Sequence, residues 1–141
     1  MNAATILKQK DSGVFTTTAN KSLLDIAKLL AQHSIGCIVI VGDDNKIVGI
    51  VSERDLMRAI GQGGAKVLEE SVSEFMTKKV VTTRETDTFH RLMSEMTTHR
   101  CRHLPVMDRD RLIGLISIGD LVKIQIAEIE MEAAATREYT A

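Results

Sequence analysis

The sequence predicts an α/β protein of the α+β kind, built from two pseudo-symmetric β-α-β-β-α repeats packed sheet to sheet. The run Val48-Gly49-Ile50-Val51-Ser52-Glu53-Arg54-Asp55-Leu56 returns 65 positions later as Ile113-Gly114-Leu115-Ile116-Ser117-Ile118-Gly119-Asp120-Leu121. Short β-branched runs also alternate with stretches whose apolar residues fall at i, i+3, i+4 and i+7, the signature of one helical face. These pieces recur in the same order in both halves at an offset of 66, which drops to 65 beyond a turn one residue shorter. A half of roughly 60 residues buries too small a fraction of its surface to stand comfortably alone. Two halves sharing an interface are therefore expected.

Residues 3 to 10 place Ile6 and Leu7 among helix formers, a short lead-in helix closed by Asp11-Ser12-Gly13. Val14-Phe15-Thr16-Thr17 reads as a brief strand, followed by an amphipathic helix over 21 to 33 with Leu23, Ile26, Ala27 and Leu30 on one face, ended by Gly36. Cys37 to Val41 is an apolar strand, Gly42 to Asn45 a turn, and Ile47 to Val51 the second arm of a hairpin. Ser52 caps the next helix, which carries Leu56, Met57 and Ile60. Gly61 to Ala65 reads as a flexible linker, and Ser71 to Met76 as a capped turn leading into the second repeat.

There Val80-Val81-Thr82-Thr83 repeats the first strand, and Phe89, Leu92, Met93 and Met96 repeat the helix face. Leu104-Pro105-Val106-Met107 repeats the second strand, with Pro105 expected to push it to an edge or to its first residues. The last helix, from Ser117, runs past Ile129, and its acidic end from Glu128 to Ala141 is expected to fray or to pack on a partner chain. The divisions are thus 1–13, a lead-in helix; 14–70, the first repeat with its linker; and 71–141, the second repeat with the C-terminal helix.

A chain of 141 residues with 44% hydrophobic content can bury a real core. Eighteen Lys and Arg against nineteen Asp and Glu leave a formal charge of −1, with no basic excess for a nucleic-acid backbone. Two cysteines outside any C-x-x-C pair argue for a reducing, cytoplasmic setting, and no apolar run is long enough to span a bilayer. Nucleic acid and membrane are not expected partners.

The duplicated element places a Ser at a strand-to-helix junction and an Asp three residues on. A helix start presents unpaired N–H groups and a partial positive charge, which suits an anion such as phosphate. With Arg102-His103-Leu104-Pro105-Val106, these motifs make the chain resemble, from about Val14 to Ile126, the cystathionine-β-synthase (CBS) domain pair, or Bateman module. The resemblance implies two clefts that hold adenine nucleotides such as AMP, ADP, ATP or NAD(H), no catalysis by the module, and a flat homodimer that signals to a regulated protein. Carried over by position, the first cleft would use Ser52, Arg54 and Asp55 with Val80, Val81, Thr82, Arg102, His103 and Pro105. The second would use Ser117 and Asp120 with Val14, Phe15, Thr16, Gly36, Cys37 and Ile38.

The residue chemistry points the same way. An ionised Asp accepts both hydroxyls of a ribose, Arg54 supplies charge for phosphate, and Ile50 with Val81 would flank an adenine ring. Having Ile118-Gly119 where the first half has Glu53-Arg54, the second cleft is expected to hold phosphate less tightly.

Other readings stand beside this one. Ser52-x-x-Asp55 is also a capping box. His99, Cys101 and His103 suggest a metal site, but Arg100 and Arg102 between them would repel a cation, and no metal is expected. Met93, Met96 and Met107 read as core filler. A nucleotide-processing enzyme is disfavoured by the absence of a P-loop or a nucleophile constellation; a structural dimerisation module with vestigial clefts is the remaining alternative.

Overall fold

The computed structural model describes residues 1–10 and 13–140. Helix α1 (Ala3–Lys10) leads in, and the first repeat follows as β1 (Thr16–Thr18), α2 (Leu23–His33), β2 (Cys37–Val41), β3 (Ile47–Ser52) and α3 (Glu53–Gly63). The second comprises β4 (Thr83–Arg84), α4 (Phe89–His99), β5 (His103–Asp108), β6 (Arg111–Ser117) and α5 (Ile118–Thr140). Each half holds a three-stranded sheet, ordered β1-β2-β3 and β4-β5-β6, with the first pair parallel and the second antiparallel. The predicted α+β class and the repeat are therefore both present. Asp11 and Ser12, placed in the turn after α1, lie outside the described residues, as does Ala141.

Several boundaries differ from expectation, each for a local reason. Strand β1 starts at Thr16 rather than Val14, because pairing with β2 begins at Thr16 opposite Val39. Just before it, the Val39 N–H still donates to the Phe15 carbonyl at 3.4 Å. Pro105, the counterpart of Val39, has no N–H to give, so β4 shrinks to Thr83 and Arg84 instead of Val80 to Thr83. Pro105 does not mark an edge: β5 lies in the middle of its sheet, and the missing donor shortens the neighbouring strand instead.

Helix α2 ends at Ser34, which takes a left-handed conformation (φ 52°), and not at Gly36. The expected flexible linker is ordered: α3 continues to Gly63, Gly64 turns the chain at φ 76°, and a 3-10 turn spans Ala65–Glu69. The capped turn ahead of the second repeat forms as expected at Val72–Glu74, with the Ser71 side chain accepting from the Ser73 N–H. The acidic C-terminal stretch stays helical to Thr140.

Two hydrophobic cores result, and each borrows from outside its own repeat. Leu23, Ile26, Leu30, Ile38, Ile40, Val51, Leu56 and Ala59 form the first, completed by Val67 and Val72 of the linker. Leu92, Met96, Leu104, Val106, Ile116 and Leu121 form the second, completed by Ala3 and Ile6 of α1. The repeated glycines mark these crossings. A Cβ on Gly49 would lie 2.5 Å from Met76 Sδ, and one on Gly114 would lie 2.5 Å from a Leu7 Cδ. Each Gly thus lets the segment preceding a repeat run close over the hairpin of the other.

Candidate functional site

The site begins where β3 becomes α3. Ser52 is the N-cap: its Oγ accepts from the Asp55 N–H at 3.3 Å, while Asp55 Oδ2 accepts from the Ser52 N–H at 2.8 Å. The capping role is therefore real. It does not exhaust Asp55, because a carboxylate offers about four acceptor positions. The Ser52 hydroxyl and Arg58, at 3.1 and 3.5 Å, are its further partners.

Sheet register sets what faces this helix start. Ser52 pairs with Cys37, and the Glu53 N–H donates to the Gly36 carbonyl at 2.9 Å. Symmetrically, Ser117 pairs with His103, and the Ile118 N–H donates to the Arg102 carbonyl at 2.8 Å. The backbone of Ile50 meanwhile exchanges two hydrogen bonds with Thr77, carrying the chain toward Lys79, Val80 and Val81.

These segments enclose a cavity of about 570 Å³ drawn from both halves. Eight of the ten residues expected at the first cleft line it, namely Ile50, Ser52, Arg54, Asp55, Val80, Val81, Arg102 and His103. Thr82 and Pro105 do not: Thr82 lines a broader opening of about 1050 Å³ beside the β5–β6 turn, and Pro105 is buried.

The residues expected at the second cleft do not share one of these openings. Gly36 and Cys37 line the first cavity, because β2 pairs with the end of β3 in its own repeat. Ile38 is sealed in the core at 1% exposure. Phe15 stacks on His33 with ring centroids 4.1 Å apart. Val14 and Thr16 line an opening of about 740 Å³ with Asp44, Asn45 and the β5–β6 turn. Ser117 and Asp120 lie outside the linings of all three openings. They form a reciprocal pair at the start of α5, with Lys10 Nζ 2.9 Å from Asp120 Oδ2.

The first cavity is richer in charge than the sequence suggested. Arg58, Lys79 and Arg100 join Arg54 and Arg102, so five basic residues and two acidic ones, Glu53 and Asp55, line the cavity. His99, Cys101 and Thr77 complete the lining with His103. Arg58 was legible, since it stands four residues after Arg54 and one helical turn on. Arg100 and Cys101 owe their place to the left-handed turn at Arg100 (φ 53°) that ends α4, which no local pattern announces.

Burial, then the nearby Lys10, holds the His103 imidazole below its usual range, while Asp120 and Glu53 oppose this and Arg102 reinforces it. Burial likewise pushes the Cys37 thiol up to about 12, helped by Asp55, so it remains a protonated, unreactive thiol. A phosphate entering the cavity would favour imidazolium. Affinity for a phosphorylated ligand is accordingly expected to strengthen as pH falls through the range where the imidazole of the complex titrates, with a proton taken up on binding. Calorimetry in buffers of different ionisation enthalpy, comparing the protein with His103→Gln, measures that uptake.

The CBS domain family model matches residues 10–62 and 72–127. The chain belongs to the CBS-domain family. Among solved CBS proteins, ATU1752 from Agrobacterium tumefaciens is 40% identical and aligns with a TM-score of 0.86 over 89% of this chain and 99% of its own. The CBS domain pair of protein MJ0100, in complex with 5′-methylthioadenosine and S-adenosyl-L-methionine, is 25% identical (TM-score 0.81; 91% and 98% covered). CBS protein PAE2072 from Pyrobaculum aerophilum, complexed with AMP, is 26% identical (TM-score 0.76; 85% and 89%). The chain spans 66% of the length of the curated relatives first matched. Among the described residues of this CBS pair, no helix is long and apolar enough to cross a membrane, and no group of three or more His, Cys, Asp or Glu is placed to hold a metal ion.

Proposed function

We propose that this CBS-domain chain is a regulatory module that takes an adenine nucleotide, AMP, ADP, ATP or NAD(H), in the Arg54 cavity and relays energy or redox state to a protein partner. One observation carries the reading: the start of α3, with its capping Ser52 and Asp55, opens into a cavity where five cationic side chains converge from both repeats. Phosphate would sit against the helix N–H groups and the arginines, Asp55 would accept from the ribose hydroxyls, and Ile50 and Val81 would flank the base. The ligands of PAE2072 and the MJ0100 pair support this, since all three carry an adenosine moiety. No residue is assigned a catalytic role.

The module signals as a homodimer in this reading. Met57 and Ile60 on α3, and Val122, Ile126 and Ile129 on α5, are apolar and 39–73% exposed, a surface suited to a second copy. The buried, protonated Cys37 suits the reducing cytoplasm. Those exposed helix faces also favour the alternative of a purely structural dimerisation module.

A melting-temperature panel separates the two. Ligand at about a hundred times its dissociation constant adds about 2.7 kcal/mol, several degrees for a chain of this size. At least one of AMP, ADP, ATP, NAD or NADH is expected to give that shift, with the sedimentation coefficient of the same samples reading a dimer. Unmoved melting curves across the panel, with the dimer intact, would leave only the structural role.

A further inference from the structure

The two helix starts are equivalent by sequence but not by surroundings. At the first, the Ile50 carbonyl accepts from the Thr77 backbone N–H at 2.9 Å, and among the described residues Asp55 is hydrogen-bonded to Ser52 and Arg58 of its own helix turn. At the second, the carbonyl of Leu115, the counterpart of Ile50, accepts instead from Lys10 Nζ at 2.7 Å. The same ammonium lies 2.9 Å from Asp120 Oδ2, with the Lys10 and Asp120 side chains only 23% and 17% exposed.

We propose that Lys10 is an intramolecular plug: it takes, at Asp120, the position from which a ribose hydroxyl would donate, so that each chain binds one nucleotide, in the Arg54 cavity. The proposal rests on the reading of the repeated Asp as a ribose acceptor. An ammonium has three donors and no acceptor, so it satisfies the Asp120 carboxylate as a ribose hydroxyl would, while its bond to the Leu115 carbonyl anchors it as the Thr77 N–H occupies Ile50. It is delivered by a firmly seated helix. Ile6 is 1% exposed in the second core, the Ala3 and Ala4 N–H groups donate to the Asp87 and Glu85 carbonyls at 2.9 Å, and Leu7 lies over Gly114. A nucleoside must therefore expel a partly buried ion pair whose cation is tethered to the same molecule, at high effective concentration.

The class of ligand that this helix start suits follows from its residues. Ile118 and Gly119 stand where the first site has Glu53 and Arg54, so the helix start offers no guanidinium for a phosphate. A neutral nucleoside is the matching chemistry, and adenosine is the probe.

The test is calorimetric titration of adenosine and AMP into the full chain and into Lys10→Ala, Lys10→Met and Lys10→Ala/Asp120→Asn. Lys10→Met keeps most of the stem and removes the ammonium, which separates lost charge from lost volume. The expected result is one AMP per wild-type chain, and adenosine binding at least tenfold tighter in both single variants, with that gain abolished by Asp120→Asn. Amide exchange at Ile6 verifies that α1 stays seated. No gain of adenosine affinity with α1 seated, or two AMP bound per wild-type chain, overturns the plug. Absence of AMP binding in every protein would instead count against the nucleotide reading of the Arg54 cavity, while the adenosine gain in the Lys10 variants still decides the plug.

Discussion

Replacing Arg54 and Arg102 together with Ala is expected to weaken AMP binding by roughly a hundredfold or more while leaving the fold intact. The two guanidinium groups reach the cavity from different repeats, Arg54 from the first turn of α3 and Arg102 from the residue before β5. Hydrogen bonds to charged groups contribute about 1.5–3 kcal/mol each, and each 1.4 kcal/mol is tenfold in affinity. Both side chains are exposed, so removing them deletes little packing, and the melting temperature of the free protein is expected to move by no more than a degree or two. Equal AMP affinity in the double variant and the parent would mean that phosphate is held elsewhere. Binding that becomes insensitive to salt in the variant would separately identify the two arginines as the electrostatic contribution.

The largest effect on stability is expected at a residue that the repeat pattern does not contain. Ile6→Ala should destabilise the chain by about 2–5 kcal/mol, comparable with Leu104→Ala in β5, the central strand of its sheet. Ile6 is 1% exposed and Leu104 is 0%, and both belong to the same core cluster. Truncating either leaves a cavity that the sheet can only partly close. Urea unfolding of both variants measures the comparison. A loss under about 0.5 kcal/mol for Ile6→Ala, alongside several kcal/mol for Leu104→Ala, would show that α1 is not part of the cooperative unit.

Much of this architecture is visible in the residues. The helical faces of Leu23, Ile26 and Leu30 and of Leu92 and Met96 do become buried faces, because a 3.6-residue period can serve only one side of a helix. The lead-in helix also falls where it was expected, at Ala3–Lys10. What could not be read locally depends on a partner. The true starts of β1 and β4 are set by where β2 and β5 offer N–H groups, and Pro105 withholds one. The misplacement of Gly36 and Cys37 has the same origin, since only the β2–β3 register decides which cavity they meet.

Of the ten residues expected at the first cleft, the eight that reach the cavity sit at strand-to-helix junctions or in the segments facing them. Lys79 and Arg100 carry no local signal because their relevance comes from convergence in space, whereas Arg58 stands one helical turn after Arg54 and could have been found. The helix start at Ser117 shows the converse. Its sequence matches Ser52 closely, yet a lysine more than a hundred positions away determines what it meets.

The crossing of Leu7 over Gly114 and of Met76 over Gly49 bears on how such a molecule could have arisen or could be taken apart. Cut at Gly63, the chain yields an N-terminal fragment without Val67 and Val72 and a C-terminal fragment without Ala3 and Ile6, so each lacks pieces of its own interior. The stretch that a gene duplication would copy is thus different from the stretch that folds. A lone ancestral repeat would have had to associate with a twin, exchanging arms, before the two were ever joined in one polypeptide.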